Sequence, residues 1–385
     1  MSEWESSDYE PWLPVTEKSN PLTRDLDRSP AGDVLRMLQA CDAEMFQPET
    51  ETAYQRFSSV GVVGALVELA ERVQLILKVS SSRDPVDSLI VLSGCGTSGR
   101  LAFLLASGFN RALRQLDQSP VYSYIIAGGD RALLSSQEAP EDDPELGTLS
   151  LKQVGLLPGS ASQTLLYKAC EGKRRVLFIG ISCGLSAPFV AAQLDFCLQH
   201  PEVFTPVLVG FNPAHQARAE PIPGCSFTFL SVAQRMQERA RRREAFLINP
   251  AVGPEAVSGS SRMKGGSATK ILLEVVLSAA HATAATKHGI LQHIKAYEET
   301  VDFTYSQREE LTAVVEAAGH SLLGGGRVCY LGWGSPGVLG LIDASECVPT
   351  FGADYEDIRG FISGGYKELS NNEGPLTSLV CEEKE

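Results

Sequence analysis

The stretch 91–103, VLSGCGTSGRLAF, concentrates small and hydroxyl-bearing residues at the end of an apolar run. It holds three glycines within six residues, with Thr97 and Ser98 between the last two. Glycines at a strand-to-helix turn permit positive φ and let the backbone approach a ligand closely. The N–H groups at the start of the following helix, together with the helix dipole, attract anions. With two hydroxyls added, this loop predicts a site for the phosphate monoester of a small molecule.

Two further stretches repeat this chemistry. The segment 180–188, GISCGLSAP, places Ser182, Cys183 and Gly184 at a turn, and the segment 258–270, SGSSRMKGGSATK, combines serines and glycines with three cations. Any one of the three stretches alone is equally well explained as a turn with a Ser/Thr helix cap. Neither GxGxxG nor GxxxxGK[ST] occurs at the first loop, which disfavours a nucleotide. Three such loops at one edge of a sheet favour a phosphosugar.

Strands and helices that alternate along the chain must position these loops. A helix is predicted from residue 97 after the first strand, and the run 235–246, RMQERARRREAF, is most simply the solvated face of another helix. Apolar, β-branched strands separated by helices indicate an α/β fold whose parallel sheet is covered by helices on both faces. The predicted strands are 88–94, 121–129, 174–182, 204–212 and 245–250.

A second copy of the glycine loop lies near the end of the chain. Residues 327–345 repeat residues 89–107 at a constant offset, which indicates a second, related α/β domain. In the second copy Pro336 replaces Ser98 and removes a hydroxyl and an N–H, so this loop is a poorer phosphate site. We interpret the copy, including its Glu346, as structural. The sequence predicts one strand, 327–332, and one helix in this part.

Composition excludes several classes of function. The formal net charge of −14 disfavours binding to nucleic acid and to anionic membranes. The longest apolar runs are too short to cross a bilayer. The nine cysteines form no CxxC pair and the six histidines no HxxxH or HExxH spacing, so we expect reduced thiols, no metal site and no cofactor.

Three stretches together resemble a known family: SGCGTSGR, NPAVGPEAVSGSSRMKGGSATK and TEKSNPLTRDLD. They are similar to the branch of the sugar-isomerase (SIS) domain family that contains bacterial N-acetylmuramic acid 6-phosphate etherases and vertebrate glucokinase regulatory proteins. Segments such as IAGGDRAL and TFGADYEDIRGF are nearer to the regulatory members. The resemblance implies a flavodoxin-like SIS domain, a parallel sheet flanked by helices, followed by the start of a second SIS domain.

The resemblance also implies a ligand, a partner and a location. Regulatory members bind fructose 6-phosphate or fructose 1-phosphate and inhibit glucokinase, and the implied locations are the nucleus and the cytoplasm. As an isolated pattern, Glu141 is more simply a solvated loop acid; the resemblance assigns it to the sugar hydroxyls. The residues implied to contact the phosphosugar are Thr97, Ser98, Glu141, Ser182, Cys183 and Gly184.

Such a site can catalyse a reaction of its sugar only if it contains a general acid/base. In the etherases a glutamate follows the glycine loop, and the position aligned on the first loop is Gly108 here. We therefore expect a non-catalytic regulator. The alternative is a phosphosugar lyase acting on N-acetylmuramic acid 6-phosphate, and a third interpretation, a plain scaffold, predicts no sugar binding.

The resemblance divides the chain into an N-terminal arm (1–45), a phosphosugar-binding SIS domain (46–285) and an incomplete second SIS domain (286–385). Regulatory members continue through the rest of the second domain to a helical lid, which we expect to be absent here. From that expectation we predict weak binding of fructose phosphates and little inhibition of glucokinase.

Overall fold

The computed structural model describes residues 2–49, 54–82, 88–153 and 175–365. The strands are β1 (Ser88–Gly94), β2 (Tyr122–Ile126), β3 (Arg175–Ile181), β4 (Phe204–Val209), β5 (Phe246–Ile248), β6 (Val328–Gly332) and β7 (Ile358–Ile362). The helices are α1 (Ala31–Ala43), α2 (Val60–Ser82), α3 (Gly96–Gln115), α4 (Arg131–Leu134), α5 (Pro144–Gln153), α6 (Pro188–Gln199), α7 (Phe229–Arg241), α8 (Lys264–His281), α9 (Lys287–Ser306), α10 (Arg308–Leu323) and α11 (Gly334–Phe351). Among the helices of these ranges, none is both long and apolar enough to cross a membrane.

The first five strands form one parallel sheet in the order β2-β1-β3-β4-β5. This order is that of flavodoxin-like folds, so the predicted fold class is confirmed. All five predicted strands are present, each within three residues of its predicted start and end. Gly94, the last residue of β1, pairs with Ile126 on one side and Ile181 on the other. The loops that follow these strands therefore leave the sheet at the same level.

Alternate residues of the central strand β1 enter two cores. Leu92 packs in the cluster formed with α2, α3 and α8, whereas its neighbour Val91 packs in the cluster formed with α6 and α7. Both side chains are fully buried. Complete burial of such a side chain contributes about 1.5–3 kcal/mol. The continuous apolar run in the sequence is thus explained by a strand covered on both faces.

The N-terminal arm is more ordered than its irregular sequence suggests. Short 3-10 turns lie between residues 3 and 28, and they are followed by α1, which begins directly after Pro30. Trp4 and Val15 are fully buried, and Thr23 donates a hydrogen bond to the carbonyl of Ala256 (2.8 Å). The arm is therefore laid over the first domain. Its helix was missed because an amphipathic helix of 13 residues gives a weak signal.

The second copy of the glycine loop, near residues 332–337, lies in a βαβ unit. The sequence predicts only one strand and one helix here. Strand β7 pairs in parallel with β6, and α11 connects them. A Cβ on Gly337 would lie 2.9 Å from the carbonyl carbon of Gly332, so this strand–helix junction is as tight as the first. The prediction of one strand was wrong because the segment 358–362 contains Arg359 and Gly360, which weaken its strand pattern. The domain boundaries themselves stay predictions.

Candidate functional site

The candidate site lies where the chain order of the sheet reverses, between β1 and β3. Parallel α/β sheets bind ligands at this position, beyond the carboxyl ends of the strands. The first loop (95–98) follows β1 and the second loop (182–187) follows β3. The hydroxyl of Ser98 and the thiol of Cys183 lie 3.6 Å apart and so join the two loops. The sequence-predicted convergence of these loops is therefore present.

The first loop is shaped by glycine. A Cβ on Gly99 would lie 2.5 Å from Cγ1 of Ile126, so a larger residue would push α3 away from the sheet. Gly96 adopts φ +47°, a left-handed conformation that favours glycine. Cys95, which precedes α3, provides no side-chain cap, and the first N–H groups of a helix have no partner within it. Half-buried Thr97 and Ser98 therefore stand at a helix start that is suited to an anion.

The second loop is held both by hydrogen bonds of its own and by bonds to neighbouring segments. The hydroxyl of Ser182 accepts from the N–H groups of Ser186 (3.1 Å) and Ala187 (3.3 Å), so it caps the turn before α6. Cys183 also contacts the hydroxyl of Thr269 on α8 (3.7 Å). Burial raises the pKa of the Cys183 thiol to about 11. At neutral pH this group is therefore a neutral hydrogen-bonding thiol and a poor nucleophile.

The start of α8, which follows the serine-rich segment 258–263, abuts the first loop, but the neighbouring cations Arg262 and Lys264 point elsewhere. A Cβ on Gly266 would lie 3.4 Å from Cγ2 of Thr97. Lys264 is buried, and its Nζ binds Oε2 of Glu44 (2.6 Å) and the carbonyl of Pro254 (2.8 Å). Lys264, one of the three cations of the segment 258–270, is therefore paired away from the first loop.

Arg262, another cation of the segment 258–270, also pairs elsewhere. Its Nη1 lies 3.2 Å from Oδ1 of Asp343 on α11, and its guanidinium stacks over Phe351 at 5.4 Å from the ring centroid. Both contacts belong to the second domain. Neither Arg262 nor Lys264 therefore presents its charge at the first loop.

A buried carboxylate occupies the start of α8. Glu255 accepts from the N–H groups of Lys264 (2.7 Å) and Gly265 (2.8 Å). Burial raises its pKa to about 7, although these two hydrogen bonds act in the opposite direction. The α8 start is thus already neutralised by a side chain, whereas the α3 start is not. Sequence reasoning missed Glu255 because its partners are backbone groups that no motif identifies.

Glu141 lies in the 3-10 turn Ala139–Asp142, half-buried beside both loops. Its charge contributes to raising the pKa values of Cys95 in the first loop and Cys183 in the second. Burial raises the pKa of Glu141 itself, with further contributions from nearby acids and an opposing one from Arg218. A carboxyl group that is protonated more easily than usual can both donate to and accept from sugar hydroxyls.

Glu346, interpreted from sequence as structural within its own copy, reaches the first domain instead. Its carboxylate forms an ion pair with Arg100, the fully buried arginine at the first turn of α3. Glu346 is also close enough to Glu141 for its charge to raise the pKa of that group. Glu346, the acid of the second copy, therefore pairs with an arginine beside the first loop. The sequence did not indicate this pairing, because Arg100 and Glu346 are 246 residues apart.

Gly108 lies far from the first loop, so the expectation of a non-catalytic protein, which rested on this position, stays a prediction. Gly108 is exposed and lies 12 residues after the start of α3, which places it about 18 Å along the helix. No side chain at that position would reach a ligand at the helix start. The question of catalysis therefore rests on Glu141 and Glu346, the two carboxylates that the fold brings together.

The roles of Thr97, Ser98, Glu141, Ser182, Cys183 and Gly184 in ligand contact stay predictions, but all six lie around the β1/β3 switch point. Helix-start N–H groups suit a phosphate, hydroxyls extend that surface, and a half-buried carboxyl suits sugar hydroxyls. Within the described ranges, no group of three His, Cys, Asp or Glu side chains is arranged to hold a metal ion.

A flavodoxin-like sheet with glycine- and hydroxyl-rich loops at its switch point defines the class of SIS-domain proteins. Residues 68–198 match the glucokinase regulatory protein N-terminal SIS domain, and residues 305–382 match the second SIS domain of the same protein. The chain therefore belongs to the glucokinase regulatory protein family. The predicted family and the predicted pair of SIS domains are thus confirmed.

Individual relatives agree with this assignment. The glucokinase regulatory protein of Xenopus laevis is 50% identical over 382 residues, covering 98% of this chain and 58% of the relative. That of Homo sapiens is 46% identical, covering 97% and 58%. An N-acetylmuramic acid 6-phosphate etherase of Mesorhizobium japonicum is 29% identical over 267 residues, covering 69% and 67%. The chain spans about 58% of the length of the two regulatory relatives.

Proposed function

We propose that this chain binds a fructose phosphate, fructose 6-phosphate or fructose 1-phosphate, at the β1/β3 switch point and inhibits glucokinase in a manner that depends on this ligand. The phosphate lies at the start of α3, against Thr97 and Ser98, and the second loop closes its other side. Glu141 binds the sugar hydroxyls. The relatives from Xenopus laevis and Homo sapiens are glucokinase regulatory proteins, which supports glucokinase as the partner.

The observation that carries the proposal is the junction of the two loops. Ser98 and Cys183 meet at 3.6 Å beside a helix start without a side-chain cap, while the start of α8 is filled by Glu255. Ser182 caps the turn before α6 and Glu255 fills the start of α8, so among these three helix starts that of α3 is available to an anion. This arrangement fits a monophosphate better than an extended nucleotide.

Steady-state glucokinase kinetics test the proposal. The 385-residue chain is titrated into glucokinase without sugar phosphate, with fructose 6-phosphate and with fructose 1-phosphate. We expect inhibition whose midpoint shifts when either sugar phosphate is added. This differs from the little inhibition predicted from the sequence, because that prediction rested only on the expected absence of a lid. Inhibition that is identical under all three conditions, or absent under all three, contradicts the proposal.

A second candidate function, a phosphosugar lyase, is favoured by one observation: the charge of Glu346 reaches Glu141 and contributes, after burial and nearer acids, to raising its pKa. We propose that the chain is nevertheless non-catalytic, because the Glu346 carboxylate is already committed to the buried Arg100. Incubation with N-acetylmuramic acid 6-phosphate and an assay for lactate decide between the two. Release on the order of 1 s⁻¹ or faster is typical of an enzyme and would establish the lyase.

The locations that fit this role are the nucleus and the cytoplasm, and we propose both for this chain. A fluorescent fusion expressed in hepatocytes tests this. Fluorescence confined to a membrane compartment contradicts it.

A further inference from the structure

We propose that Asn212 is a positioning residue of the candidate site, which couples docking of the N-terminal arm to the ligand-binding competence of the second loop. The inference rests on the proposed function in one respect, the identity of the ligand. The coupling between the arm and the loop is a property of the chain itself and is measurable without any ligand.

Asn212 follows β4 and is fully buried. Its Oδ1 accepts from the N–H of Thr16 (3.0 Å), and its Nδ2 donates to the hydroxyl of Thr16 (2.8 Å) and to the carbonyl of Gly184 (3.0 Å). One amide thus binds the arm on one side and the second loop on the other. Buried amides with both ends satisfied in this way fix the geometry of their partners.

The second loop needs such support, since its backbone is strained. Leu185 adopts φ +54°, a left-handed conformation that a residue with a branched side chain rarely adopts. Strained backbone of this kind persists only where the surrounding structure holds it. The carbonyls of Cys183 and Leu185 accept from the N–H groups of Phe211 (2.8 Å) and Arg218 (3.0 Å). The carbonyl between them, that of Gly184, accepts from the Asn212 side chain.

The arm is firmly anchored near this contact, so it transmits its position to the loop. The N–H of Val15 donates to Oε1 of Gln216 (3.1 Å), and Val15 itself is fully buried. Lys18 Nζ donates to the carbonyl of Trp4 (3.1 Å), which ties the segment to the start of the chain. The Thr16 hydroxyl also lies next to Gly184, because a Cβ built there would be 3.6 Å from it. Loss of arm docking therefore removes contacts from the loop directly.

Thermodynamic linkage means that the coupling can be measured both at the loop and at the arm. If the arm stabilises the binding-competent loop, then a ligand that binds this loop stabilises the docked arm by the same factor. A merely structural role of Asn212 would lower overall stability without this reciprocity.

The test compares two threonines of the arm, each joined to the first domain by one buried hydroxyl hydrogen bond of 2.8 Å. Thr16→Val removes the bond that leads to the second loop, and Thr23→Val removes a bond to Ala256. The variant Asn212→Ser removes both connections of the amide. Hydrogen exchange of residues 182–187 is measured in the absence of ligand, and the Kd for fructose 6-phosphate and fructose 1-phosphate is measured by calorimetry.

We expect Thr16→Val to accelerate exchange in residues 182–187 and to raise the Kd, each by about three- to tenfold, the factor that one ordinary hydrogen bond is worth. Thr23→Val should change both by less than about twofold. In the background of Asn212→Ser, Thr16→Val should have no further effect, because the shared amide is already gone. A saturating fructose phosphate should slow exchange of residues 15–18 in the parent chain but not in Asn212→Ser.

Equal effects of Thr16→Val and Thr23→Val on loop exchange, or additive effects of Thr16→Val and Asn212→Ser, overturn the proposal. If the parent chain binds neither fructose phosphate, the proposed function fails, and the exchange measurements still decide whether the arm and the loop are coupled.

Discussion

The ion pair between Arg100 and Glu346 fastens the second domain to the first loop, and its removal should be costly. The Arg100 side chain is fully buried, with Nε donating to the carbonyl of Ala132 (2.9 Å) and Nη1 to Glu346. Its Nη2 is buried without a hydrogen-bond partner among the described residues. The Glu346 side chain is 13% exposed. Glu346→Gln would leave a buried guanidinium without its counter-charge, which typically destabilises a protein by about 3–5 kcal/mol.

A double-mutant cycle measured by urea unfolding isolates this interaction. Because water partly reaches Glu346, we expect Glu346→Gln to lower the free energy of unfolding by about 3 kcal/mol, the low end of that range. Arg100→Met combined with Glu346→Gln should recover about 2 kcal/mol of this loss, since no unpaired buried charge is left. The matched control is Glu356→Gln, which removes an exposed partner of Arg327 and Arg359 in the same domain. It should cost less than about 1 kcal/mol.

An effect of Glu346→Gln no larger than that of Glu356→Gln would refute the reasoning. So would a double variant as unstable as the sum of its single variants. Either result would mean that α11 does not dock on α3 through this pair, and that Glu346 does not belong to the candidate site.

Two further predictions use the same unfolding measurement. Gly99→Ala should destabilise the chain by more than about 2 kcal/mol, because its Cβ would lie 2.5 Å from Ile126. Gly108→Ala, on the same helix, meets nothing within 4 Å and should stabilise the chain by up to about 1 kcal/mol. Equal effects of the two variants would show that α3 is not packed as described. The pKa of Glu255 is raised from an ordinary 4.5 to about 7, which means that the native state binds this proton more tightly than the unfolded state does. The stabilisation of the native state by the bound proton is therefore complete below pH 4.5 and is lost as the pH rises through about 7. Relative to Glu255→Gln, the parent chain should lose on the order of 3 kcal/mol between pH 4.5 and pH 8, and a pH-independent difference would contradict the assignment.

The sheet and the loops could be predicted from sequence because their signals are local. The apolar run before Gly94 predicts a strand buried on both faces, and the glycines after it predict a close strand–helix turn. Parallel topology then places the loops after β1 and β3 together, as the contact between Ser98 and Cys183 shows.

What could not be predicted depends on partners distant in sequence. Lys264 lies beside the serine-rich segment, yet the start of α8 turns it inward to Glu44, 220 residues away. Glu346 belongs in sequence to the second copy of the loop, yet it pairs with Arg100 of the first, 246 residues away. Asn212 belongs to no recognisable sequence motif. Its role depends on the arm and the second loop, which both bind its side-chain amide. Side-chain direction and tertiary pairing decide these roles, and one-dimensional spacing does not carry them.

Calorimetric titration with fructose 1-phosphate and fructose 6-phosphate tests the central claim, a phosphosugar site at the first loop, most directly. An aspartate is placed in each of the two copies of the glycine loop: Ser98→Asp in the first, and Ser335→Asp, one residue before the position equivalent to Ser98, in the second. A carboxylate at residue 98 would face the phosphate with like charge, which costs several kcal/mol at a partly desolvated site. We predict saturable binding by the parent chain and by Ser335→Asp, and none by Ser98→Asp. Binding that survives Ser98→Asp with unchanged Kd, or that is abolished by Ser335→Asp instead, would contradict the account.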